Sequence, residues 1–432
     1  MTLLLVAEAV SAGPQPEARV CEAARDKGFV QGRGGFLFRT LDLRDEYTLR
    51  VDMLGRLLRL LDALEGQGVT LVVPVVPSRG MAMPDLPQPG PHDRPFDAEA
   101  SVRSYEGVVA WLEAQGVLAV DLLAVATDPQ REVPYYHRYD HHWTADGARD
   151  SALATAAVIR ARPEYDALHH EPFVTRRVGV DEEVSSVARL FNDACGEVVP
   201  AVHFERYQTE PVEPPGLLDE PVPPEVVVVG SSFMRTRFNY SGFLSEALDA
   251  DVLNVATPGG RATASLHSYL LSDDYRDAPP AFLVWEWVMT LLVDLREQEG
   301  SASFQDPALY RELIPAVYGD CGPDAVAEVE RDHASGRVAL FSPDVPLQGP
   351  EAYLSMTLEP EPSGPVRVVA LHEGGERDAF TFHPYTRVDR QGRYLMELSD
   401  TIDSPLDRLH VVLPEDADTQ ITARLCLAPE MP

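Results

Sequence analysis

The chain has 432 residues, 45% apolar and 24% charged, which is enough for two or three domains with cores of their own. Its 36 basic and 69 acidic residues leave a net charge of −33, which argues against a nucleic-acid binder and against adhesion to an anionic membrane. No run of about 20 apolar residues occurs, so direct insertion into a membrane through a spanning helix is excluded.

Met1–Gly13 (MTLLLVAEAVSAG) joins an apolar stretch to small residues. That is the tail of a secretory signal without its positive opening, or else a short strand or helix. Residues 51–68 set Leu54, Leu57, Leu58, Leu61 and Leu64 along one helical stripe. The continuous apolar run 69–76 reads as a buried strand, and the Pro-rich stretch 84–95 as a loop. A helix over 97–115, a strand over 117–121 and an Ala-rich helix over 144–161 follow. Buried strands are expected at 225–229, 252–256 and 281–287, with helices carrying Phe243, Leu244 and Leu248 and covering 259–271. Strands alternating with helices predict an α/β domain, a parallel sheet with helices on both faces. From Val338 the pattern changes to short alternating segments separated by turns, at 353–358, 366–371, 380–382, 393–398, 409–413 and 421–427. That pattern predicts an all-β sandwich.

The cysteines are Cys21, Cys195, Cys321 and Cys426. None lies in a CxxC pair and none has zinc-ligand spacing, so no metal is expected. Four cysteines allow three pairings. Cys21 with Cys195 would bracket the first half and Cys321 with Cys426 the last hundred or so residues, an arrangement suited to the periplasm. Four buried free thiols are the alternative.

Two places combine reactive side chains with a suitable backbone. Gly230-Ser231-Ser232 follows a buried strand and precedes a helix, where a serine hydroxyl faces the crevice at the carboxyl end of the sheet. A helix-capping serine is the plainer reading. The second is Tyr139-Asp140-His141-His142-Trp143-Thr144. One short turn can set the Asp140 carboxylate on an imidazole nitrogen of His142, leaving the other to take a proton from a serine. A core histidine packed beside Trp143 would account for the same residues.

The joint order of these motifs resembles the SGNH-hydrolase-like alginate O-acetyltransferases of the AlgX/AlgJ type, with the AlgX-like pattern extending over nearly the whole chain. The residues that carry the resemblance are Gly35-Phe36-Leu37-Phe38-Arg39, Ser78-Arg79-Gly80, Asp140-His141-His142-Trp143-Thr144, Gly230-Ser231-Ser232, Asn239–Leu244, Asp251–Ala256 with Pro258-Gly259-Gly260, and Trp285-Glu286-Trp287. The resemblance implies an SGNH-like acetyltransferase domain over 14–320 in permuted motif order, and a carbohydrate-binding-module-like β-sandwich over 321–432. It implies disulfides Cys21–Cys195 and Cys321–Cys426, a triad of Asp140, His142 and Ser232, and a periplasmic location reached through a signal peptide. It further implies O-acetylation of an exopolysaccharide, alginate or a related polymer, through an acetyl-serine. An acetyl donor is required and no cofactor. The expected partners are the polysaccharide and the membrane-associated proteins of an acetylation and export complex.

Alginate is a polyanion, so a local basic strip must offset the −33 charge. Arg79, Arg235, Arg237 and Arg261 are its candidates, with Asn239 and Asn254 as polar contacts. Glu286, unexpected in a buried strand, is expected to pair with an arginine. In the sandwich, His372 and Arg377 supply polar character for a glycan. An acetyl esterase and a non-catalytic glycan-holding scaffold are the competing functions.

Overall fold

The computed structural model describes residues 19–88, 95–196, 199–213, 216, 222–292, 306–343, 346–382 and 387–429; the candidate signal at Met1–Gly13 lies outside them. The Val-rich runs become the strands of one sheet: β1 Thr70–Val76, β2 Leu118–Asp121, β3 Val226–Val229, β4 Val252–Asn254, β5 Phe282–Trp285 and β6 Trp287–Val288. Every pairing is parallel, and the spatial order is β2-β1-β5-β3-β4. β6 continues β5 along the far end of β1 after a break at Glu286.

Such strands are stable only with both faces covered, because successive side chains point to opposite sides. Val73, Val75, Val227, Val229, Leu283 and Trp285 pack against helices Val51–Gly66, Ala98–Ala114, Ala264–Leu270 and Pro307–Tyr318. Their alternates Val72, Val76, Val226, Val228, Phe282 and Val284 pack against Ala145–Arg160, Ser186–Cys195 and Tyr240–Leu248. On the first of these helices, Ala148, Ala152 and Ala156 form a small-residue stripe that is fully or almost fully buried. The doubly covered parallel sheet agrees with the alternation in the sequence.

Two features depart from the expected pattern. Phe173–Glu183 and Val202–Pro211 form a long antiparallel hairpin in a region where the sequence predicts no element. Its strands pair only with each other and are largely exposed, so they carry no apolar run. Within the Pro-rich stretch, Pro87–Gln88 pairs with Phe29–Gly32 instead of looping freely. Residues 89–94 of that stretch lie outside the described residues.

From Ala327 the chain builds two four-stranded antiparallel sheets that enclose a separate core around Leu354, Met356, Val368, Val411 and Leu425. Cys321 is bonded to Cys426, and Cys21 to Cys195, each with Cα atoms 5.8 Å apart. Arg311 of the helix Pro307–Tyr318 meets Asp378 at 2.5 Å, and Arg390 meets Glu312 at 2.5 Å, so the sandwich is tied to the α/β domain by partly to fully buried ion pairs.

Candidate active site

The carboxyl ends of β1 and β3 point into one crevice, and two chain segments meet there. The first is residues 135–144. Trp143 is fully buried, stacks on Tyr240 at 5.5 Å and pairs across a single bridge with Tyr136. Thr144 caps the next helix by accepting from Gly147 N–H at 3.1 Å. A Cβ on Gly147 would stand 2.6 Å from the Tyr135 carbonyl, so only glycine lets the helix start this close to the segment.

Arg79 supplies the remaining support. Its guanidinium donates to the carbonyls of His137 at 2.7 Å, Leu37 at 3.0 Å and Asp140. It is 2% exposed. The expectation that Arg79 belongs to a substrate-facing strip is therefore corrected: both its terminal nitrogens donate to backbone carbonyls, and it braces the Asp-His segment.

The second segment is the turn after β3. Ser265 Oγ accepts from Gly230 N–H at 2.8 Å and donates to Gly230 C=O at 2.9 Å. Asn254, the last residue of β4, donates to the Met234 carbonyl at 2.7 Å. Ser232 opens a short helical turn, Ser232–Met234, so its backbone N–H has no intrahelical acceptor.

These supports bring Asp140, His142 and Ser232 together. His142 Nε2 lies 2.8 Å from Ser232 Oγ, and His142 Nδ1 lies 2.5 Å from Asp140 Oδ1. The same Oδ1 accepts from His142 N–H at 2.7 Å. Asp140 and His142 are each 5% exposed, while Ser232 is half-buried. Burial pushes the Asp140 carboxyl upward, but hydrogen bonds and charge from His142 outweigh it and hold the group well below the usual carboxylate range. His141 stacks on His142 with ring centroids 3.8 Å apart, and burial, followed by the neighbouring imidazole, lowers it to about 3. Beside the relay it therefore stays neutral. Ligand atoms of Asp140, His141 and His142 all fall within 4.8 Å of one another. A metal there would have to break the Asp140–His142 hydrogen bond.

The other sequence candidates are scattered around the crevice. Arg235 is exposed just past the Ser232 turn. Arg237 pairs with Glu183 at 2.7 Å and lies over Phe204. Arg261 is half-buried with φ +56°. Asn239 is buried and donates to Thr209 Oγ1 at 2.9 Å, so it braces the hairpin instead of facing a ligand. In the sandwich, His372 is buried with Nδ1 2.8 Å from the Ser404 carbonyl. The arginine expected beside Glu286 is absent among the described residues: its carboxylate accepts from Ser231 N–H at 2.5 Å and Ser231 Oγ–H at 3.1 Å. Exposed Arg138 lies over Phe36 and Tyr139. Sequence reading passed it over because a surface arginine has no local signature.

The comparisons agree with this architecture. A family model described as the SGNH hydrolase-like domain of the acetyltransferase AlgX matches residues 29–289. The alginate biosynthesis protein AlgX of Pseudomonas aeruginosa is 28% identical over 411 residues, covering 92% of this chain and 84% of the relative. AlgX of Azotobacter vinelandii is 32% identical over 337 residues, covering 74% of this chain and 66% of the relative. The solved structure of Pseudomonas aeruginosa AlgX superposes with a TM-score of 0.79 at 26% identity, over 93% of this chain and 94% of that one. The O-acetyltransferase domain of Pseudomonas putida AlgJ shares the fold, with a TM-score of 0.52 at 23% identity over 67% of this chain and 99% of that one. This chain belongs to the AlgX family of SGNH hydrolase-like proteins.

Proposed function

We propose that this protein O-acetylates an exopolysaccharide, alginate or a close relative, in the periplasm after export through a signal peptide. The observation that carries the proposal is the unbroken line of hydrogen bonds from Asp140 through His142 to Ser232. His142 Nε2 takes the Ser232 proton as Oγ attacks the carbonyl carbon of an acetyl donor. The tetrahedral oxyanion is held by the Ser232 N–H and a neighbouring donor. Collapse expels the leaving group, which takes the proton back from Nε2, and acetyl-Ser232 remains. A sugar hydroxyl then attacks the acetyl carbon, passes its proton to Nε2, and Oγ recovers it as the ester departs. Asp140 stays ionised throughout and holds the imidazole in the tautomer that presents a free Nε2. No cofactor enters the scheme beyond the acetyl donor.

Water would intercept the intermediate unless the polymer is held against it. For that role we assign Arg235, Arg261 and Arg138 at the crevice and, as a glycan-holding surface, the sandwich over 321–432. Exposed Arg235, three residues past Ser232, offers a local positive charge for an acidic sugar despite the −33 overall charge. The likeness to alginate biosynthesis proteins supports alginate as the polymer, and the two disulfides support an oxidising compartment. Membrane-associated proteins of an acetylation and export complex would deliver the acetyl groups.

The test is incubation with an activated acetyl ester, with and without mannuronate oligosaccharides. Mass spectrometry is expected to find acetyl-Ser232 when the oligosaccharide is absent and acetylated sugar when it is present. Acetyl-Ser232 with acetate as its sole product would make the protein an esterase. A Ser232→Ala variant that still restores polymer acetylation in cells would make it a scaffold.

A further inference from the structure

Glu286 carries a carboxylate buried in the sheet with no cationic partner among the described residues, and it lies directly beneath the nucleophile turn. It is fully buried at the break between β5 and β6, flanked by Trp285 and Trp287, which are equally buried. Its own N–H donates to the Val229 carbonyl at 3.1 Å, the last rung between the strands that carry the carboxylate and the serine. Both carboxylate oxygens are engaged by one residue. Oε2 accepts from Ser231 N–H at 2.5 Å and Oε1 from Ser231 Oγ–H at 3.1 Å. A Cβ on Gly230 would fall 2.3 Å from Oε2, so the approach depends on glycine there.

We infer that Glu286 is a positioning residue for the transfer reaction, whose ionised carboxylate locks Ser231 and thereby fixes the Ser232 hydroxyl and N–H in the crevice. The inference rests on the nucleophile reading proposed above. Ser231 Oγ also accepts from Phe233 N–H at 3.4 Å. Ser232 is thus held between a residue pinned at two atoms and a residue bonded back to it. An anion taken out of water without a counter-charge is strongly disfavoured unless donors replace its hydration. A neutral glutamine would fill the same space without that cost, so what the charge adds is two strong hydrogen bonds on one serine.

The environment also makes this lock sensitive to protons. Burial raises Glu286 to about 7, against the opposing pull of the two Ser231 hydrogen bonds. The titratable groups that feel its charge are the buried hydroxyls of Tyr135 and Tyr240, both of which stay neutral in that range. Below about 7 the protonated acid offers one donor and one acceptor where the turn needs two acceptors, and the lock loosens. Acylation of Ser232 therefore weakens as the pH falls through this range, on top of whatever His142 contributes.

The test compares wild type, Glu286→Gln, Ser231→Ala and Ser232→Ala in acylation by p-nitrophenyl acetate from pH 5 to 9, with thermal melts alongside. Glu286→Gln is expected to lose tenfold or more in kcat at pH 8 with KM little changed, and one ionisation is expected to vanish from its acid limb. Wild-type kcat and an unchanged profile in that variant overturn the inference. If Glu286→Gln does not fold, Ser231→Ala decides. Removing one donor raises the carboxyl further, so the acid midpoint moves upward; an unmoved midpoint overturns the inference. Ser232→Ala separates the two levels: if it retains acyl transfer the nucleophile reading fails, whereas a dead Ser232→Ala beside a fully active Glu286→Gln sinks this inference alone.

Discussion

His142 Nε2 stands 2.8 Å from Ser232 Oγ across 90 residues of chain. β3 lies one strand away from β1, with β5 between them, and all three run parallel. Their carboxyl ends open on the same side, where the 135–144 segment and the β3 turn converge. Each segment is braced by a buried neighbour, the first by Arg79 and the second by Ser265.

Removing the ends of this relay should separate chemistry from folding. Ser232→Ala is expected to abolish acetyl-enzyme formation and lower turnover roughly ten-thousand-fold, while unfolding stability changes by about 1 kcal/mol. Asp140→Asn should cost a similar factor through the wrong imidazole tautomer. Burst kinetics with an acetyl ester, read beside urea melts, would check both. Near-wild-type turnover in either variant contradicts the assigned roles.

Arg79 predicts a different pattern. Arg79→Met keeps much of the packing but strips donors from the carbonyls of Leu37, His137 and Asp140. Unfolding free energy should fall by about 3 kcal/mol, and kcat should fall with it as the Asp-His segment drifts. Arg79→Lys should recover little, because one ammonium does not reproduce the planar fork. A variant with lowered polymer affinity and intact stability would return Arg79 to the substrate surface.

Two buried glutamates contribute to the pH dependence of stability. Burial raises Glu397 to about 7 despite Arg59 beside it, and raises Glu286 to the same region. For each the folded value exceeds the unfolded one. Their contribution is therefore complete below about pH 4.5 and is lost as the pH rises toward 7, with a slope of at most about 1.4 kcal/mol per pH unit for each group. Asp140 acts oppositely: its depressed value adds stability above the ordinary carboxylate range that disappears as the pH falls. His137 and His141, lowered by burial to about 4 and about 3, act against the glutamates over the same range, so the variant is the test: the stability of Glu397→Gln relative to wild type should rise as the pH goes from 5 to 7.5. A difference in Tm between the two proteins that does not change with pH contradicts the assignment.

The disulfides make a fourth prediction. Each closes a long loop, with separations of 174 and 105 residues. On chain-entropy grounds each stabilises by roughly 4–5 kcal/mol. Reduction, or the Cys321→Ser/Cys426→Ser pair, should lower the melting temperature markedly. The sandwich should become more protease-sensitive, since Cys426 sits on the strand Thr419–Leu427 at its centre. An unchanged melt under reductant would contradict this.

The strands of the sheet were legible because Val226–Val229 and its neighbours are continuous apolar runs, and the helix faces because leucines recur at helical spacing. The hairpin Phe173–Glu183 with Val202–Pro211 was not, since its strands bury only part of one face and alternate weakly. Asp140 and His142 stood out by local spacing. Glu286 stood out as an oddity, but its partner did not, because a carboxylate in a strand says nothing of which backbone lies across the sheet. Arg79 was visible as a cation and misplaced, because charge suggests a surface and only packing reveals carbonyls that consume it.

The sequence by itself determined the layered α/β architecture, the β-rich end of the chain and the residue types available for acyl transfer. Periodicity and composition are local properties that short segments already carry. Which imidazole meets which hydroxyl, which cysteines join, and whether an arginine or glutamate faces ligand or backbone were decided by tertiary structure alone. Those are relations between segments 42 to 174 residues apart, set by strand order and by what burial leaves for each polar group to bond.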